Sequence, residues 1–441
     1  MGSATALLIL VVILIEGYAT CIETFGNYVV IGIAGKDNDA YVVSLKSGNV
    51  LWSFSLSSTG IDDVWRIVRY RDTILVVGTT TLRGGSRTPY IAVVGSLGSI
   101  EKIFTYASLR GVPYDVAMDG STLILAGESN DGRGFISFTY LDNSSARIVF
   151  LGIANRNNNV VSVTTMHDLV CYALWSTSNP FNVSTLDSFV ACMDRNNNMV
   201  SITSFASPGV DMVTKIAAFD GDLLVLGVQH NRSFVAVVDP RQGIVEKSLV
   251  LECGRWCDAM DAALIGDQVV VVGTYDKHPY LAVLSKDLEL EAIWIGDAVG
   301  DARSIKVGNG ELLMVGTLVI EGVPRPYVAT IPIEILRTKP RELFMDKLVL
   351  ELSNVTTSSV LKTSSSAKIY VEISRDRLLP LALPPKRVGI EVELVRNTIT
   401  LPQTSTSSIA RTWIGSTIVA AILVVAILAL VLALIALSRK R

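Results

Sequence analysis

Leu75-Val-Val-Gly78, a short apolar run closed by glycine, is followed by a second run that opens on Tyr90, and this pair decides how the 441-residue chain folds because it recurs along it. The first run returns as Tyr28-Val-Val-Ile-Gly32, Leu123-Ile-Leu-Ala-Gly127, Val170-Cys-Tyr-Ala173, Leu224-Val-Leu-Gly227, Val270-Val-Val-Gly273 and Leu313-Met-Val-Gly316. The successive closing residues are 46, 49, 46, 54, 46 and 43 positions apart. The aromatic that opens the second run returns as Tyr41, Phe135, Phe189, Phe234, Tyr280 and Tyr327. Two independent markers therefore keep one period, which chance alternation does not produce.

Each unit also holds a preceding strand led by an acid (Asp62, Asp115, Asp211, Asp258, Asp301) and a following strand after a turn, as in Lys46-Ser-Gly-Asn-Val-Leu-Trp-Ser-Phe54. Four strands in about 45 residues is the signature of a propeller blade. One twisted four-stranded sheet cannot bury both faces alone, so the sheets stack radially and the ring closes. The expectation is an all-β chain with a seven-bladed β-propeller over residues 20–336. The seventh unit lacks its fourth strand, so residues 20–26 or part of the segment after Leu336 are expected to complete the ring.

Residues 41–54 (Tyr-Val-Val-Ser-Leu-Lys-Ser-Gly-Asn-Val-Leu-Trp-Ser-Phe) resemble the repeat of PQQ-type quinoprotein propellers. The other units are similar to bacterial and archaeal surface-propeller repeats, with a strand ending Val-Gly-Thr and then a Tyr-x-Ala-Val strand, as at Tyr90 to Gly98. The resemblance implies a fold rather than a chemistry. A quinoprotein's adjacent cysteine pair is absent, and one unit alone keeps the Trp motif.

The two ends read as membrane-directed. Residues 414–437 are an uncharged apolar run long enough to span a bilayer core of roughly 30 Å. Trp413 precedes the run and Arg439, Lys440 and Arg441 follow it, so the positive-inside rule places a three-residue cytoplasmic tail at 439–441 and everything before the transmembrane helix (413–438) outside. Residues 4–15 are apolar but short, followed by Glu16, Gly17 and Ala19, which predicts a signal peptide over residues 1–19. Between the propeller and the anchor, 347–352, 368–373 and 389–394 alternate polar and apolar, predicting at 337–400 a small membrane-proximal β domain or stalk, or an extension packed on the propeller, and a polar linker at 401–412. The chain is thus expected at the cell membrane, with the ectodomain extracellular.

A formal net charge of -3 gives no footprint for nucleic acid, so an envelope protein or glycan is the expected partner beside the membrane itself. Five cysteines suit an oxidising compartment. Cys171 and Cys192 fall on neighbouring strands of the fourth unit, Cys253 and Cys257 suit a tight loop, and Cys21 is left over. No metal site is expected, because zinc spacings are missing and the histidines are scattered. Acceptor sequons stand at Asn143, Asn182, Asn231 and Asn354.

Functional candidates follow from blade geometry. The longest connections between second and third strands, at 79–89, 174–187 and 317–326, carry Arg83, Arg87, Trp175, Phe181 and Arg325, residue types favoured as binding anchors. Asp62, Asp211, Asp258 and Asp301 precede their glycines by 15 or 16 residues, so they fall near the same face. A ring of such carboxylates would suit Ca²⁺, whereas capping of turns is their commoner use. No cofactor is otherwise indicated, and no Ser/His/Asp set, phosphate loop or acid pair stands in a local frame. A surface binding, adhesion or scaffold module is expected ahead of an extracellular enzyme with a site at the propeller mouth, or a structural envelope component.

Overall fold

The computed structural model describes residues 5–82, 84–152, 157–177, 186–207, 209–344, 348–353, 357–358, 363–364, 369–383 and 385–400. Leu7–Thr398 form one compact unit, distinct from Met1–Ala6 with Ile399–Arg441, and the account below concerns the former.

The two sequence markers turn out to be one packing device. Each repeat folds as an antiparallel meander, and in its first strand a single residue bulges out of register opposite the closing small residue of the second strand. A Cβ at Gly78 would strike the Asp63 carbonyl and the Tyr90 ring, and one at Gly273 would strike the Asp258 carbonyl and Tyr280. Glycine is thus required where bulged backbone and third-strand aromatic close on the same point. Tyr90 and Tyr327 also donate their hydroxyls to the first-strand carbonyls of Asp63 and Asp301, each at 3.1 Å.

The meanders run over residues 17–56, 63–106, 111–152, 158–205, 211–251 and 257–296, and the last comprises the three strands Gly300–Gly308, Glu311–Ile320 and Val323–Pro332. First strands are neighbours in chain order, and the Gly300–Gly308 strand packs against Gly17–Phe25, so the circle closes. Each hydrophobic cluster spans two adjoining sheets; Ile216, Val225 and Phe234 of one, for example, share a core with Cys171, Val190 and Phe205 of the next. This radial stacking is the β-propeller fold. Trp52 of the first repeat has its indole N–H on the Ser96 carbonyl at 3.2 Å and its ring against Gly98, pinning one sheet to a turn of its neighbour.

Closure corrects the reading of the N-terminus. Thr5–Ile13 is a strand, paired antiparallel with Val323–Pro332 through Ile9 to Thr330 and Val12 to Tyr327, and it supplies the fourth strand of the last meander. Leu8, Leu10 and Val12 have no exposed surface. The apolar run read as a cleaved signal is therefore buried in the fold, and cutting after Ala19 would also divide the Gly17–Phe25 strand. A short apolar segment of small and β-branched residues suits either fate, and here an unfilled sheet edge takes it.

Of the two arrangements expected for the segment after the propeller, a small β domain or an extension packed on the propeller, the structure shows the second. After a short helix, Ile333–Thr338, the segment runs backwards around the ring and adds an outer strand to one sheet after another. Val349–Leu352 pairs with Leu290–Gly296, Thr357–Ser358 with Val245–Leu251, and Thr363–Ser364 with Met199–Phe205. Tyr370–Pro380 then bridges Ser145–Gly152 and Ile100–Tyr106. Pro385–Arg387 pairs with Asn49–Leu56, and Val392–Thr400 lies next to Thr5–Ile13 in the last sheet. The alternating pattern does make strands, but each finds its partner on a propeller edge, where unpaired N–H and C=O groups would otherwise face solvent.

Leu378 and Leu383 of this belt are buried, and Ile390, Val392 and Leu394 pack on the seam between the last and first sheets. Asp376 fastens it by accepting the backbone N–H of Ser108 at 3.1 Å and of Leu109 at 2.9 Å. Replacing Asp376 by Ala leaves the buried Leu109 N–H and the more exposed Ser108 N–H without this acceptor, a loss of about 1–3 kcal/mol. Limited proteolysis should then cut residues 369–388 at least several-fold faster than in the parent.

Both cysteine pairs are disulfide-bonded, Cys171 to Cys192 across directly opposed strand positions and Cys253 to Cys257 within a loop, while Cys21 is free and buried. Among the described residues no helix is long and apolar enough to cross a membrane. The run at 413–438 lies outside them.

Candidate functional site: the channel and its loop face

The residue immediately after each bulge turns toward the axis, which creates a ring of Cys21, Arg66, Asp115, Ser162, Lys215, Asp261 and Ser304. All but Ser162 line a cavity of about 340 Å³ that Lys306 also enters. Asp115 is its hub and is wholly buried. Its carboxylate accepts from Arg66 Nε at 2.7 Å, Lys215 Nζ at 2.7 Å, Ser162 Oγ at 2.6 Å and the Val163 N–H at 3.1 Å. Burial alone would raise the pKa of Asp115, but Lys215 and Arg66 hold its carboxyl well below the usual range.

A staple repeats around the ring, in which a ring side chain accepts the backbone N–H of the next meander. Asp115 takes Val163, Ser162 takes Ile216 at 3.1 Å, and Asp261 takes Ile305 at 3.1 Å as well as the Ser304 hydroxyl at 2.8 Å. Lys306 meets Glu23 at 3.3 Å. Arg66 and Lys215 are thus spent on Asp115 and Lys306 on Glu23, while Asp261 is held by a hydroxyl and backbone N–H groups. A carboxylate that is fully ionised and takes four hydrogen bonds holds the sheets together and is poorly placed to exchange protons at neutral pH.

The bulged residues themselves are Thr20, Trp65, Tyr114, Val161, Thr214, Met260 and Arg303, one step nearer the loop face. Trp65 and Tyr114 meet edge to face at 5.3 Å, Trp65 donates to Thr79 Oγ1 at 3.1 Å, and Tyr114 donates to Glu128 at 3.0 Å. Arg303 is bonded to Asp301 and lies over the exposed Tyr18 ring, 5.6 Å from its centroid. The bulges thus leave Trp65 and Tyr114 partly exposed side by side, and Arg303 standing over Tyr18, at the mouth.

The candidates read from the sequence are placed unequally. Arg87 forms an ion pair with Asp63 beside this mouth. Trp175 is half-buried, with its indole donating to the Val213 carbonyl at 2.7 Å, so it serves mainly as a joint between two sheets. Arg325 lies in a strand opposite Leu318. Two of the three long loops are largely hairpin: strands Thr73–Thr81 and Arg87–Gly95 extend into the first, and the third turns at Glu321 and Gly322, both left-handed. Arg83 and Phe181 lie outside the described residues.

The four aspartates do not form a cation ring. Asp258 and Asp301 accept the N–H of Thr274 and Thr317, each at 2.8 Å, whereas Asp62 and Asp211 stand one register position earlier. No group of three or more His, Cys, Asp or Glu able to hold a metal ion occurs among the described residues. Asn143 and Asn231 are exposed at turns, and Asn182 and Asn354 lie outside the described residues.

Sequence reading passed over the channel ring. Five of its members, Arg66, Asp115, Lys215, Asp261 and Ser304, stand 12 residues before a marker glycine, a spacing that would have found them.

No family model matches the chain, and no curated protein matches it. Among solved structures it is similar to the Dos1 propeller at 10% identity and a TM-score of 0.47, over 72% of this chain and 93% of that one. Raptor of Chaetomium thermophilum is similar at 12% identity and a TM-score of 0.48, over 73% of this chain and 29% of that one. The extracellular domains 1–2 of Drosophila Semaphorin 1a are similar at 12% identity and 0.44, over 72% and 86%.

Proposed function

We propose that this chain is a seven-bladed propeller displayed at a membrane surface, held by the apolar segment at 413–438, and that its loop face is a protein- or glycan-binding scaffold surface. The observation that carries the reading is the contrast between channel and rim. Channel charges are mutually satisfied around Asp115, while the rim leaves Tyr18, Trp65 and Tyr114 partly exposed beside Arg87 and Arg303. Amphipathic aromatics and arginines on a rigid frame are the usual anchors of recognition. Two disulfides suit an oxidising side of the membrane.

The test is capture of partners from native membranes in mild detergent, using the tagged full-length chain and its Trp65→Ala/Arg303→Ala variant, with mass spectrometry of what is retained. A stoichiometric partner lost at least tenfold in the variant is the expected result. Retention that is indifferent to both residues would move the contact surface elsewhere, and a homomeric lattice would make the protein a structural envelope component.

A further inference from the structure

Asp187 opens the third strand of the 158–205 meander with its side chain fully buried, and neither of its carboxylate oxygens meets a hydrogen-bond donor. The residues on both sides of it grip the backbone of Asp211 in the next meander. Asp211 N–H donates to the Leu186 carbonyl at 2.9 Å, Ser188 Oγ donates to the Asp211 carbonyl at 2.8 Å, and Val213 N–H donates back to Ser188 Oγ at 2.9 Å. The Asp211 carboxylate, also buried, accepts from Ser207 Oγ at 2.8 and 2.7 Å to its two oxygens. Ser207 Oγ in turn lies 3.1 Å from His230 Nδ1.

Two buried carboxylates therefore share one seam between sheets without a lysine or arginine bonded to either. Taking a carboxylate out of water without a counter-charge is costly, and two close together cannot both ionise cheaply. The groups that bear on the pair are His230 and the Gln229 amide on the Asp211 side, and each aspartate on the other. Burial first, and then the charge of Asp211, push Asp187 up to about 6; burial also raises Asp211, against the opposing effect of Ser207. No group of three or more His, Cys, Asp or Glu able to hold a metal ion occurs among the described residues, and His230 bears on Asp211 rather than on Asp187, so a proton is the counter-charge left to Asp187.

We infer that Asp187 and Asp211 form an electrostatically coupled carboxyl pair that makes the joint between these two sheets respond to pH, tight while Asp187 holds a proton and loosened once both groups ionise. The two titrate as a unit. Because the pair binds its proton more strongly in the closed joint than in an opened one, the stabilisation is full below the ordinary aspartate range and is lost as pH rises through about 6.

The experiment is hydrogen exchange of the Asp211 and Val213 amides in the full-length protein, corrected for intrinsic rates, from pH 4 to pH 7. Local protection in the parent should fall by about 100-fold more across this window than in Asp187→Asn, which stays neutral throughout. Infrared spectra of protein carrying labelled aspartate supply a second readout: a protonated-carboxyl band present at pH 5 and fading by pH 7. Equal pH dependence in the two proteins, or absence of that band in the parent, overturns the inference. Calcium chloride restoring protection at pH 7 would overturn it too, because a metal rather than a proton would then be the counter-charge.

Discussion

Deleting residues 1–13 should abolish the cooperative unfolding transition and leave the chain aggregated. The loss removes the ladder from Ile9–Thr330 to Val12–Tyr327 and with it the buried side chains of Leu8, Leu10, Val11, Val12 and Ile13. It also exposes the long third strand of the last sheet, Val323–Pro332, as a free edge, which is a template for pairing with other chains. A graded form of the test is Leu10→Ala, expected to cost about 2–5 kcal/mol as a buried large-to-small change. Leu10→Asp should behave like the deletion, since it buries an uncompensated charge. Mass analysis of the protein isolated from its native source checks the same feature directly: the N-terminal tryptic fragment should contain residues 7–13. A mature chain beginning at Thr20 would contradict the strand assignment.

Asp115→Asn is the second large effect. The substitution keeps shape but removes the charge that compensates Arg66 and Lys215, whose side chains retain 27% and 19% of their exposure. Breaking a buried pair by removing one partner typically costs about 3–5 kcal/mol, because the remaining charges lose their counter-ion. Denaturant unfolding should report that loss with little change in slope. Arg66→Met combined with Lys215→Met and Asp115→Asn should recover part of it, which separates stranded charge from lost hydrogen bonds. In the parent, the depressed pKa of Asp115 means that its contribution is full above the ordinary aspartate range and is lost progressively as pH falls below it.

What the sequence disclosed tracks how local the physics is. Gly78 and Tyr90 announce themselves because a bulge, a glycine and an aromatic must coincide within a single repeat, so the requirement is written at every turn of the period. Cys171 and Cys192 were legible for a similar reason: neighbouring strands at equal distance from a hairpin centre must face each other. The strand at residues 5–13 was not, since an apolar run records burial but not whether the apolar surroundings are lipid or protein. The belt was legible as strands that could pack on the propeller, while the sheet each strand joins was not, because a strand pattern does not name its partner. The channel ring escaped notice through its mixed chemistry. Cys, Arg, Asp, Ser and Lys share no residue-type signal, only a position fixed by the bulge, and pairing Arg66 with Asp115 and Lys215 joins residues on three different blades.

The belt also bears on the order in which the chain can assemble. Lys386 pairs with Ser55 and Ser374 with Ile148, contacts between residues hundreds of positions apart that return nothing until the intervening sheets are in place. The continuous outer rim on which the belt lies exists only after every sheet stands beside its proper neighbour. Its docking is thus the last step of folding and a test of all the earlier ones, since a chain with a misplaced sheet offers no uninterrupted rim to lie on.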